Sequence, residues 1–246
     1  MLATVPLRDG LEVVDVGTGY GVMAYELAHL AAVSVTGVDC DAEVLARATA
    51  LGADLSSWIR AGSSVRFLEG DALRLPLESA SADLVTARLL FQHLPDPVAA
   101  AREVARVLRP GGAAHVFDVD DGLAISYPEP MPAVAHLEGA YARWQSSRGG
   151  DRQVGRKLSS LLASAGLDIA ATHVVAQTQH GTSAPGDLER SAAAGRLTAA
   201  RADMIAAGFI SSEEFDDCLR ALLAQPSAAS FRCEAQVVAV AIKPSS

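Results

Sequence analysis

Between residues 11 and 21 the chain passes from a run of apolar positions into a cluster of glycines: Leu11-Glu12-Val13-Val14-Asp15-Val16, then Gly17-Thr18-Gly19-Tyr20-Gly21. Val13, Val14 and Val16 are β-branched and near-continuous, as a strand buried on both faces requires. Met23, Leu27 and Leu30 then recur at helical spacing. The pattern predicts a strand, a tight glycine turn and a helix over residues 22–30, and the alternation continues. A second strand is expected over 33–39 and a helix over 42–52, with Val44, Leu45, Ala48 and Leu51 on one side. A third strand follows over 64–69 and a short fourth over 84–86. Residues 99–108 form an amphipathic helix, with Val104, Val107 and Leu108 apolar and Arg102, Glu103 and Arg106 polar. Arg109-Pro110-Gly111-Gly112 stops it, before a fifth strand over 113–119.

The second half carries a weaker pattern. Residues 122–150 hold three prolines and a predicted helix through His136, Tyr141 and Trp144. A helix is expected over 154–165 with Gly166 as its stop, then β character over 167–177 and helices over 187–208 and 212–224. The last of these opens with Ser211-Ser212-Glu213-Glu214, an N-cap followed by early acids. A final strand spans 231–242. Strands alternating with helices predict an α/β protein with a Rossmann-like, doubly wound, mostly parallel sheet. The expected domain is single, with a core of about 11–120, 151–178 and 231–242 and helical cap insertions at about 121–150 and 180–228.

Half of the 246 residues are hydrophobic, enough for a large core. The formal charge of −9, from 29 acidic and 20 basic residues, argues against broad binding to nucleic acid or anionic membranes. Cys40, Cys218 and Cys233 are scattered without C-x-x-C spacing, so neither a disulfide framework nor a metal site is expected, and a reducing cytoplasmic interior is the better reading. No signal-peptide pattern opens the chain and no apolar run has the length of a membrane span.

The glycine turn is where chemistry is expected. Glycines let a ligand lie against bare backbone, and the following helix offers free N–H groups. Dinucleotide sites favour G-x-G-x-x-G, but the third glycine position here is Val22, and Gly21 comes one residue early. Asp15, two residues before Gly17, suits a ligand with a positive end better than a pyrophosphate. Asp39 lies about twenty residues beyond the turn, where an acid meets a ribose in strand-turn-helix-strand units. Asp71, in Gly70-Asp71-Ala72, reads either as an adenine contact or as a plain turn aspartate. Cys40 is either at the adenine edge or a small buried hydrophobe.

Asp15-Val16-Gly17-Thr18-Gly19-Tyr20-Gly21 resembles the first motif of the class I S-adenosylmethionine (SAM)-dependent methyltransferases. The block 75–97 and the run Val104-Ala105-Arg106-Val107-Leu108-Arg109-Pro110-Gly111-Gly112 are similar to the small-molecule members of ubiquinone-biosynthesis type. The resemblance covers about the first half of the chain. It implies SAM as cofactor, S-adenosylhomocysteine as product, and a seven-stranded sheet whose last strand is antiparallel, between the fifth and sixth. It implies cofactor contacts from Asp15, Gly17, Thr18, Gly19, Tyr20, Gly21, Asp39, Cys40, Asp71, Ala72, Arg88 and His93. Arg88 would meet the methionine carboxylate or make a surface salt bridge. Tyr20 would cover the methionine part or shield the turn.

The implied reaction is methylation of oxygen, nitrogen or carbon on a small-molecule acceptor, in natural-product or quinone biosynthesis. A hydroxyl acceptor also calls for a base. His93 and His136 are the candidates, against the plainer readings of a helix-start histidine and a cap histidine beside core aromatics. His29 and His115 read as structural; His173 and His180 fall in the substrate half. Family members carry helices before the first motif, which here starts by residue 13. A partner subunit in a homodimer, the 122–150 segment or a longer natural N-terminus would supply that cover. Rival readings are a SAM-binding member without methyl transfer, a nicotinamide-dependent oxidoreductase and an RNA methyltransferase. The last is disfavoured by the acidic balance.

Overall fold

The computed structural model describes residues 7–180, 185–224 and 231–245, including their side chains except those of 179–180 and 185–192. Its elements run in the order β1 (Glu12–Val16), α1 (Val22–Leu30), β2 (Ser34–Asp39), α2 (Ala42–Leu55), β3 (Ser64–Glu69), β4 (Ala82–Arg88), α3 (Pro97–Val107), β5 (Leu108–Val119), β6 (Ile125–Tyr127), α4 (Pro132–Ser147), α5 (Leu158–Ser164), β7 (Asp168–His180), α6 (Pro185–Ala206), α7 (Ser212–Ala224) and β8 (Phe231–Ile242). They divide into two compact units. One comprises residues 1–119, 153–175 and 236–246, the other 120–152 and 176–235.

In the first unit the strand order is β3-β2-β1-β4-β5-β8. The first five are mutually parallel, and β8 runs antiparallel against β5, from Ala113↔Ile242 to Val119↔Gln236. β7 also pairs with β8, so the last strand lies between the fifth and the strand before it in sequence. Parallel strands buried on both faces alternate their side chains between two cores. Val14, Val16, Val85, Ala87, Ala114 and Val116 face one, closed by Ala101, Val104 and Val107 of α3 and Leu158 and Leu162 of α5. Val13, Val35, Leu84 and Phe117 face the other, under Met23, Ala24, Leu27 and Ala28 of α1. α2 is tied to α1 by Tyr25, whose hydroxyl donates to the Ala48 carbonyl over 2.8 Å.

The second unit is built on α4, α6 and α7, which bury Leu137, Tyr141, Leu197, Met204, Phe215 and Leu222 together. Within it β6 pairs with the first residues of β8, Ile125↔Cys233 to Tyr127↔Phe231.

Three details differ from the expectation. The sheet has eight strands rather than seven, because β6 joins it. Three residues beside Pro128, Pro130 and Pro132 are too few to show a strand pattern. α3 ends at Val107, and Leu108 to Gly112 already belong to β5. Gly111 takes φ +79, and the main chain there pairs with Lys243, Gly111 N–H to its carbonyl over 2.8 Å and its N–H to the Gly112 carbonyl over 2.9 Å. The helix expected over 154–165 opens instead as a 3-10 turn, Val154–Lys157, before α5. There Gly155 lies so close to β5 that a Cβ on it would come within 2.8 Å of the Val119 carbonyl.

Candidate cofactor site

The turn after β1 is held from beneath. The N–H groups of Gly17 and Thr18 both donate to the Val38 carbonyl, over 2.8 and 3.0 Å, and Gly21 N–H donates back to the Thr18 carbonyl over 2.9 Å. Gly17, Gly19 and Gly21 take φ of +69, +53 and +77, the left-handed region that favours glycine. Their surroundings differ. A Cβ on Gly17 would strike Leu90 at 2.8 Å, and one on Gly21 would strike Phe67 at 2.7 Å. A Cβ on Gly19 would meet nothing within 4 Å. Two of the glycines are therefore needed for packing within the protein, while Gly19 presents bare backbone to open space.

Two acids organise the loop. Asp15 is 1% exposed, and its carboxylate accepts from the Thr18 hydroxyl over 2.7 Å and from the Thr86 hydroxyl over 2.9 Å. Burial pushes its pKa up to about 6, against the pull of both hydroxyls and of the Arg88 charge, with Asp39 adding to the rise. Asp39, at the end of β2, is half-buried. One of its oxygens accepts from Gly19 N–H over 2.9 Å and the other from Asp41 N–H over 3.1 Å. α1 starts on Gly21, which has no side chain to cap it, and its first turn carries no acid to offset the leading amides.

The remaining residues singled out by sequence fall as follows. Thr18 is buried, its hydroxyl directed at Asp15 and away from solvent. Tyr20 is exposed. Cys40 is exposed beside Asp39, and its thiol is pushed up by partial desolvation and then by the charges of Asp39, Asp71 and Asp41. Asp71 is exposed at a turn, where its side chain accepts from Leu73 N–H over 2.8 Å, while Ala72 packs on the core. Arg88 ends β4, its guanidinium 6.0 Å from the Phe117 ring centroid. His93 closes a 3-10 turn, Phe91–His93, and is exposed. His115 is fully buried within β5, and burial pushes its pKa down to about 4, as the structural reading expects.

His136 belongs to the second unit, exposed on α4. Tyr141 is part of that unit's core, its ring 5.5 Å from Trp144. His173 is exposed on β7, and the side chain of His180 lies outside the described residues.

The sequence reading missed Thr86, Phe67 and Leu90. Thr86 carried a signal, a lone hydroxyl inside the apolar run Leu84-Val85-Thr86-Ala87. Its meaning depends on the register that sets it directly opposite Asp15.

A parallel sheet with a glycine turn, an uncapped helix start and an acid at the next strand end defines a Rossmann-like cofactor-binding domain. Residues 14–116 match the family model described as "Methyltransferase domain". The chain is 39% identical over 116 residues to a ubiquinone biosynthesis O-methyltransferase of Ralstonia nicotianae, covering 47% of this chain and 44% of the relative. It is 38% identical over 115 residues to 27-O-demethylrifamycin SV methyltransferase of Amycolatopsis mediterranei, covering 46% and 40%. The chain thus spans less than half the length of these curated relatives. Its fold is shared with a crystal structure from Bacillus halodurans assigned as a methyltransferase, at TM-score 0.65 and 19% identity, covering 99% of this chain and 96% of that one. Over residues 14–116 the chain is thus similar to SAM-dependent methyltransferases.

Proposed function

We propose that this protein transfers a methyl group from SAM to a hydroxyl of a small-molecule acceptor, in natural-product or quinone biosynthesis. The observation that carries the reading is Gly19. Its main chain is fixed by Asp39, it holds a left-handed conformation, and the space where a side chain would stand is open. A cofactor is thereby able to lie against the backbone with no side chain to displace.

The donor groups present fit SAM. The carboxylate of Asp39 retains lone pairs for the ribose hydroxyls beyond those engaged by Gly19 and Asp41. Cys40 and Asp71 border the adenine end, and Gly17–Gly21 with Tyr20 carry the methionine portion. The leading amides of α1 and the Arg88 guanidinium suit its carboxylate. Asp15 acts mainly by fixing the loop, since both its oxygens accept from hydroxyls in the interior. When bound, SAM supplies a methyl group already activated on a sulfonium. The chain's own task is to align the acceptor oxygen with it, to exclude water and to take up one proton. His93, exposed just beyond β4, is the proposed proton acceptor.

The two named relatives support oxygen as the nucleophile. No described helix is long and apolar enough to cross a membrane. Three free cysteines, among the described residues, support a reducing cytoplasmic location.

The test is a calorimetric titration with SAM, S-adenosylhomocysteine and NADH, followed by transfer of labelled methyl to quinol and polyketide hydroxyls. Saturable binding of the two sulfur nucleosides alone, with label entering an acceptor, is expected. Binding of NADH alone overturns the reading.

A further inference from the structure

We propose that Thr86 is a positioning residue for the cofactor loop, acting through Asp15. This rests on the methyltransferase reading above and extends it to a residue outside the glycine motif. β1 and β4 are paired so that Asp15 and Thr86 stand directly opposite each other. Thr18, three residues along the chain from Asp15, approaches the same carboxylate on its other oxygen. All three side chains are buried, with Asp15 and Thr86 each 1% exposed.

A hydroxyl has one proton to give. Thr18 directs its proton at Asp15 over 2.7 Å, and Thr86 does so over 2.9 Å with the Val14 carbonyl a more distant acceptor at 3.5 Å, so the carboxylate is clamped between the loop and the neighbouring strand. Thr18 lies inside the turn, and a Cβ on Gly37 would come within 2.7 Å of its hydroxyl oxygen, so this side chain fills the space beneath the loop. The path from β4 to the bare backbone of Gly19 is therefore Thr86, Asp15, Thr18 and the peptide that follows. Removing the Thr86 hydroxyl leaves one carboxylate oxygen buried without that donor, and such a group seeks another partner by moving. The first part free to move is the turn.

The ionised form of Asp15 accepts both hydroxyl protons. The neutral acid presents an O–H toward one of them, so that threonine must turn its own proton away. The charged groups that bear on Asp15 are Arg88 at the end of β4 and Asp39 at the end of β2. The clamp should loosen, and cofactor affinity fall, as pH drops below the range where Asp15 ionises.

The test compares wild type with Thr86→Val, which keeps shape and loses the hydroxyl, and Thr86→Ser, which keeps the hydroxyl. Affinity for S-adenosylhomocysteine is measured by calorimetry from pH 5 to 8, with circular dichroism as the check on folding. Thr86→Val is expected to bind about tenfold more weakly at pH 7, and the pH at which its affinity falls should move upward. Thr86→Ser should restore binding to within about threefold and return the pH profile to that of wild type. A purely packing role for Thr86 would leave the pH profile where it was. Should Thr86→Val not fold, Thr86→Ala takes its place.

Unchanged affinity and pH profile in a folded hydroxyl-free variant overturn the proposal and leave the methyltransferase reading standing. A wild-type protein that binds neither SAM nor S-adenosylhomocysteine overturns both.

Discussion

The main-chain N–H of Gly19 donates to the carboxylate of Asp39 over 2.9 Å, across twenty residues of sequence. This bond joins the turn after β1 to the end of β2, the two places where the proposed cofactor would lie. Asp39 therefore has two tasks in this account, shaping the loop and receiving the ribose. Asp39→Ala removes both and is expected to weaken SAM binding by more than tenfold in a calorimetric titration. Asp39→Asn, which keeps an acceptor for Gly19, should lose less. Unchanged affinity in Asp39→Ala would remove the ribose assignment.

Gly19 allows loop and ligand to be separated. A Cβ there meets no protein atom within 4 Å, so the fold should survive Gly19→Val. Its φ of +53 makes any β-branched residue strained, a cost of about 1–2 kcal/mol or somewhat more. A melting temperature lowered by several degrees, with cofactor binding abolished because the side chain occupies ligand space, is the expected pair of results. Retained binding would show that the ligand lies elsewhere.

Asp15 makes a prediction about pH. Its folded pKa of about 6 stands above the ordinary 3.8, so the folded state holds the proton more tightly than the unfolded chain. Stability from this group is therefore present at low pH and is lost as pH rises from about 4 to about 6. At neutral pH the buried charge costs on the order of 3 kcal/mol. Asp15→Asn should raise the melting temperature at pH 7, flatten the pH dependence between 4 and 6, and weaken cofactor binding. Thermal unfolding across that range, compared with wild type, gives the answer; a less stable Asp15→Asn at pH 7 contradicts the account.

His93 is the exposed last residue of an otherwise buried 3-10 turn after β4. If it takes the acceptor's proton, His93→Ala should lower kcat by about a hundredfold or more while S-adenosylhomocysteine affinity stays within about twofold. Steady-state kinetics with the acceptor identified by labelled transfer, set beside calorimetry, separates the two. An unaltered kcat assigns the base to another group.

Much of this site could be read from the chain. Val13, Val14 and Val16 followed by three glycines announce a buried parallel strand and a backbone-lined turn, because few other structures use that order. The place of Asp39 at the end of a strand was legible from its distance along the chain. Thr86 was not, because its role arises only when β4 lies beside β1 in one register. The division of labour among the glycines was equally hidden: Leu90 crowds Gly17 from 73 positions away along the chain, and Phe67 crowds Gly21 from 46. The helices of the second unit were expected, the last of them from its N-cap at Ser211-Ser212-Glu213-Glu214. The setting of His136 and Tyr141 depends on how α4, α6 and α7 pack, and the sequence left both readings of these residues open. β6 escaped notice because three residues carry no period.

The crystal structure of the protein with S-adenosylhomocysteine tests the central claim most directly. The nucleoside is expected along the main chain of Gly17 to Gly21, with its ribose hydroxyls on Asp39. A nucleoside bound away from that turn, or a pyrophosphate-bearing cofactor in its place, would contradict it.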